Sequence, residues 1–217
     1  VAFLLSIFIA FLAYPVSGTP FLDLHSTFFS LLAVYILIVA ITKEKNFYWF
    51  YVSILLCFAF FSKQVPAAYT IIGISLINIY FTIIKNEIKC FIYYVLGAFV
   101  FSFFLLFFLL VKEIPIHDFI LQIILFPPTI GLDRYETYNL NFKNIFLDYK
   151  FIYFIFIPIF LINLINLIKL KKYYKTVNFQ IFLVIFTFFC STLIHQIHTQ
   201  NQVYIFSLVP ILGGFLL

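Results

Sequence analysis

The sequence contains no methionine, only six glycines and three cysteines, and charged residues make up just 10% of it. The shortage of charge is the most restrictive of these. Typical soluble domains carry roughly 25% charged residues, so the composition argues against an ordinary soluble domain. Cys57, Cys90 and Cys190 form an odd set with no short spacing, which argues against a disulfide framework or a zinc site. They read as small apolar fillers. Also missing are a P-loop, a GxSxG elbow, a Gly-rich dinucleotide turn and an HExxH pair. No internal repeat or inverted-repeat signature is evident, although many secondary transporters carry one.

What is present is apolar. Hydrophobic residues make up 65% of the chain and its mean hydropathy is +1.15, with 34 Phe and 15 Tyr. The abundance of Ile, Phe, Tyr, Asn and Lys fits AT-rich coding as much as any function. Seven apolar segments are expected at about 1–14, 24–42, 47–62, 66–84, 90–111, 151–168 and 178–194, with an eighth from about 203. Each is predicted helical, because backbone exposed to a bilayer must satisfy its own hydrogen bonds. Nineteen residues at 1.5 Å each span about 28 Å, close to the ~30 Å of the hydrocarbon layer. The 47–62 segment is short for a full crossing, so its end at Lys63 is expected to be recessed. The fold class is thus an all-α polytopic membrane protein of seven to eight transmembrane helices, with residues 1–217 as one domain. Both termini fall inside apolar runs, as expected of a piece of a longer polytopic protein.

The net charge of +5 is topological. Eight lysines (Lys43, Lys45, Lys85, Lys89, Lys169, Lys171, Lys172 and Lys175) fall in three short loops beside only Glu44 and Glu87. Cytoplasmic loops collect Lys and Arg, so these loops are assigned to the inside. The remaining segments hold five basic residues against six acids, and no basic stripe suited to nucleic acid is present. Residues 112–150 form the one long outward loop. Its Ile116–Leu125 stretch has the apolar spacing of a short interfacial helix, broken at Pro127-Pro128.

The unusual polar residues gather on the outward side: Asp23, His25, Lys63, Arg134, His195 and His198. Asp23, just before a helix, suits an N-cap or a ligand for metal or sugar hydroxyl. Lys63 lies between two membrane helices on the side that the positive-inside rule disfavours. It reads as a snorkelling helix end or, with Gln64 beside it, as a fixed cation for a phosphate. Arg134, flanked by Asp133 and Glu136, is a surface ion pair or a phosphate clamp. His195 and His198, three apart, share a helical face and could bind a divalent metal. Hydrogen bonding of substrate or sugar by His195, Gln196, Asn201 and Gln202 is the other reading of that stretch.

The chain resembles the polytopic GT-C glycosyltransferases that use polyprenyl-phosphate sugars, such as the lipid A aminoarabinose transferases and the dolichyl-phosphate-mannose protein mannosyltransferases. Asp23 followed by Phe28–Tyr35 looks like that group's acidic helix start with an "LAxY" pattern. Leu56–Pro66 looks like its "LTKGP" helix end, with Gln64 in place of Gly and Pro66 displaced by one. Asn201–Leu212 resembles the polar loop and Pro-containing helix of later segments. The group's principal catalytic carboxylate, in the first outward loop, has no counterpart here and is expected upstream of Val1.

The resemblance implies inverting transfer of a sugar from a polyprenyl-phosphate donor to a hydroxyl or amine acceptor (lipid, glycan or protein) at the outer face. In it Asp23 orients acceptor, sugar or a divalent metal ion, and Lys63 holds the leaving phosphate. The expected location is the plasma (inner) membrane of a bacterium, with the site facing the periplasm or exterior. Two alternatives stay open. A lipid-linked oligosaccharide polymerase or ligase would rely on Arg134 and His195. A transporter or flippase would need polar residues at mid-helix, where Asn163 and Asn166 are the candidates.

Overall fold

The computed structural model describes residues 22–127 and 141–199 of the chain. Its helices are α1 (Leu22–Thr42), α2 (Tyr48–Ser62), α3 (Gln64–Ile84), α4 (Ile88–Val111), the short α5 (Ile116–Ile120), α6 (Lys150–Lys169) and α7 (Val177–Thr199). No strand occurs among the described residues. Five helices are long and apolar enough to cross a membrane: α1, α3, α4, α6 and α7. The expected segments at 1–14 and from 203 lie outside the described residues.

The helix ends fall within a few residues of the apolar runs because lysine-bearing turns stop them. Glu44 and Asn86 take positive φ in the loops after α1 and α3, and Lys172 does so after α6. At the far end of α4, Glu113 does the same, and the 112–150 loop begins. Within that loop the expected interfacial helix is present as α5, which continues as a π-helical turn over Leu121–Leu125. A second π turn at Lys143–Leu147 leads into α6. No sequence pattern predicts this second turn, whose wider winding owes nothing to apolar spacing.

The core is built from α1, α2, α3 and α7. Ala33, Val34 and Leu37 of α1, Trp49, Val52 and Leu56 of α2, Ile74 and Ile77 of α3, and Val184 and Ile185 of α7 are all buried together. α4 packs on α2 and α3, and its long outer side of Phe99, Phe103, Phe107 and Leu110 stays exposed, as suits a surface toward lipid. α6 leans on α7 through rings, with Phe156 stacked on Phe189 at 3.9 Å and 4°.

Two crossings bring helix backbones close, and each is made at a glycine. A Cβ on Gly97 of α4 would land on Ser53 Oγ and the carbonyl oxygen of Phe50 in α2. A Cβ on Gly73 of α3 would land on Thr187 Cγ2 in α7. Small residues allow this approach where lipid supplies no hydrophobic drive and packing must hold helices together. The two sites differ in what could give way. Thr187 can rotate, whereas the Phe50 carbonyl is fixed in its helix. Gly97→Ala is therefore expected to cost about 1–3 kcal/mol and Gly73→Ala less. Equilibrium unfolding of the two variants in one detergent checks this ranking, which equal losses would contradict.

Candidate functional site

Among the described residues, the break between α2 and α3 is the one place where the chain leaves helical geometry between two apolar helices without a loop. Lys63 is extended (φ −159°, ψ 125°), and Val65 is non-helical (φ −113°, ψ 123°) before α3 becomes regular at Pro66. Pro66 suits a helix start, because it lacks the N–H that a first turn would leave unbonded. The Lys63 N–H still bonds the Ala59 carbonyl at 3.0 Å, closing α2. Its carbonyl is met from α1. Ser26, fully buried, donates its hydroxyl to the Lys63 carbonyl at 3.2 Å. That bond fixes the first turns of α1 against the break.

α7 arrives at the same depth. Thr70 and Ser191 share a hydrogen bond of 2.9 Å in the buried interface of α3 with α7, and Gly73 meets Thr187 there. These two pairings set an antiparallel register. Four residues beyond Ser191 along α7 stands His195, and four residues before Thr70 along α3 stands Pro66. His195 and Gln196 are therefore level with the 63–66 break, and both are buried (4% and 1% exposed).

Helix lengths define a recess. α2 rises about 22 Å from its start to the break, while α1 and α7 each continue about 6 Å past that level. Lys63 and Gln64, both half-buried, are recessed relative to those ends. The first turn of α1, with His25 exposed, and the last turn of α7 stand beyond them. Phenylalanines brace this end: Phe29 stacks with Phe58, Phe58 and Phe61 contact Phe101, and Phe61 contacts Phe119 of α5 at 5.9 Å.

The structure thus brings together Lys63, Gln64, His195 and Gln196, with His25 at the rim. Helix α1 begins at Leu22, which places Asp23 in its first turn; the Asp23 side chain lies outside the description, as do Arg134, Asn201 and Gln202. His195 and His198 are unlike one another. His195 is buried, whereas His198 turns back to the Ile194 carbonyl at 2.6 Å through Nδ1. Among the described residues no group of three or more His, Cys, Asp or Glu could hold a metal ion.

Sequence reasoning missed the hydroxyls Ser26, Ser30, Thr70, Ser191 and Thr192, all buried at this end. The available signal was helical spacing: Ser26 with Ser30 at i, i+4, and Ser191 one turn before His195. Chemically the cluster offers one cation, an imidazole, amides and hydroxyls. Among the described residues Ser30 Oγ and Gln196 Oε1 are buried without a hydrogen-bond partner, and a buried polar atom left so costs on the order of 1–3 kcal/mol. No protein-family profile, curated protein or solved structure matches the chain.

A double-mutant cycle tests the register. Thr70→Val with Ser191→Ala is expected to show a coupling of about 0.5–1.5 kcal/mol. Additive losses would mean that the two helices are not held by this pair. Ser26→Ala is expected to lower stability by about 1 kcal/mol, read from the same unfolding curves.

Proposed function

We propose that the protein is a membrane glycosyltransferase that binds a polyprenyl-phosphate-linked sugar in the recess at Lys63 and transfers the sugar to a hydroxyl or amine acceptor. One observation carries the reading: a lysine at a break between two apolar helices, level with a buried imidazole and amide and tied to α1 by Ser26. The positive-inside distribution puts this recess on the outer face, and the resemblance to GT-C enzymes puts the membrane in a bacterium.

In this reading Lys63 faces the donor phosphate. As the glycosidic bond breaks, its electron pair goes to the phosphate oxygen and negative charge grows there. A cation already in place, in a site poor in water, stabilises that charge without reorganising. Gln64 bonds the phosphate beside it. Gln196 and His195 bond sugar hydroxyls, while Asp23 at the start of α1 orients the sugar or acceptor. Arg134, Asn201 and Gln202 are the further candidates for binding donor or acceptor. A carboxylate takes the acceptor proton.

Of the two candidates for the transporter reading, Asn163 and Asn166, the first has structural employment. Asn163 donates to the Ile159 carbonyl at 2.9 Å and accepts from the Tyr173 hydroxyl at 2.9 Å. No specific observation favours the polymerase or ligase reading, which depends on Arg134 and His195.

Lys63→Ala is expected to lower transfer from a polyprenyl-phosphate sugar by about 10²–10³-fold with the unfolding midpoint near that of the wild type. Lys63→Arg should recover part of the loss. The assay follows radiolabelled sugar leaving the donor in membranes that contain the full-length protein. Near-normal turnover by Lys63→Ala would remove the assignment.

A further inference from the structure

The lysine-rich end of the bundle is divided into two unlike corners. At the first, the α1–α2 loop is fastened to the start of α4, where the buried Cys90 thiol donates to Asn46 Oδ1 at 3.3 Å and to Glu87 Oε2 at 3.6 Å. Lys43, Lys45 and Lys89 stand here beside the only acids of this end, Glu44 and Glu87. At the second, the Tyr80 hydroxyl of α3 bonds the Tyr174 carbonyl, and Gln180 Nε2 bonds the Lys175 carbonyl at 3.1 Å. The first bond holds the α6–α7 loop against the end of α3, and the second ties the loop to the start of α7. Lys85, one helical turn beyond Tyr80, therefore shares a corner with Lys171, Lys172 and Lys175.

The second corner is built to keep its charge together. The α6–α7 loop contains three lysines, follows Lys169 at the end of α6, and has no acid. Lys172 takes the left-handed conformation (φ 67°), and the 3₁₀ turn Tyr173–Lys175 follows at once, so the chain doubles back within three residues. Tyr173 is anchored on Asn163. Lys85 Nζ lies 5.2 Å from the Phe81 ring centroid and Lys175 Nζ 5.8 Å from that of Tyr174, which holds the stems of both side chains along aromatic surface. Tyrosines at helix ends sit at headgroup depth, and basic clusters between helix ends attract anionic headgroups.

We propose that this corner (Lys85, Lys171, Lys172 and Lys175) is a binding site for the phosphate headgroup of an anionic phospholipid in the adjoining leaflet. The acyl chains would run beside α3 and α6, whose exposed Ile83 and Ile168 border the corner. The site is distinct from the Lys63 recess, at the opposite end of the helices, and independent of the reaction there.

The test compares two triple variants of equal charge change in purified full-length protein: Lys85→Gln with Lys172→Gln and Lys175→Gln, and Lys43→Gln with Lys45→Gln and Lys89→Gln. Binding of phosphatidylglycerol and of phosphatidylcholine is read by native mass spectrometry. The unfolding midpoint without added lipid serves as the check on folding. If a triple variant unfolds early, the single changes Lys172→Gln and Lys175→Gln replace it. Phosphatidylglycerol is expected to bind wild type and the Lys43 variant alike, and the Lys85 variant about tenfold or more weakly. Equal weakening in both variants would reduce the effect to diffuse charge and overturn the proposal. So would equal binding of phosphatidylcholine, or displacement of the lipid by millimolar inorganic phosphate.

Discussion

One buried bond, from the Ser26 hydroxyl to the Lys63 carbonyl, answers the hardest constraint on this chain. In an apolar medium each backbone N–H and C=O needs a partner, and regular helix provides them everywhere except where helix stops. Most of the stops here fall in turns that carry charge and reach water. The break after Ser62 does not, because α3 starts almost at once. The amide of Lys63 is held by its own helix and the carbonyl by a neighbour. With α1 fixed at that point, the close approach of α7 to α3 at Gly73 brings a buried imidazole and amide to the same level. The candidate site is thus a by-product of satisfying one interrupted helix.

Helix existence was legible in the apolar runs, since a stretch of some twenty apolar residues leaves little choice of structure. The run at 47–62 was legible even in its shortness, and α2 is 15 residues long. Register was not legible. Helices apolar on all sides have no stripe that points inward, so nothing in the runs themselves indicates that Thr70 meets Ser191 or that α4 touches α2 at Gly97. Those contacts depend on side-chain size and hydroxyl position. Lys63, His195 and Gln196 were legible because they stand out against apolar neighbours. The serines and threonines that surround them do not, since in a membrane helix such residues more often bond their own preceding turn, as Thr42 and Ser62 do.

The two ends of the bundle handle polarity in opposite ways. At the lysine-rich end the charge is exposed, and loop carbonyls are capped by Tyr80 and Gln180 from within the bundle. At the Lys63 end polar groups are mostly neutral and buried. Asn78, 1% exposed with neither amide atom partnered, departs from this division. It lies in the α3 half nearer the lysines, and we have no physical account of it.

The brevity of α2 has a consequence for the surrounding bilayer. A helix of about 22 Å beside a hydrocarbon layer of ~30 Å leaves a mismatch of some 8 Å, and Phe47, Tyr51 and Phe58 keep one side of α2 exposed. Lipids next to that side must shorten, tilt or dip, at a cost of fractions of a kcal/mol per ångström. In the proposed reading the membrane at this flank is drawn toward the break, and a donor headgroup has less hydrocarbon to cross on its way to Lys63. Occupancy of the recess should in consequence respond to bilayer thickness, which makes the host membrane a determinant of affinity alongside the residues themselves.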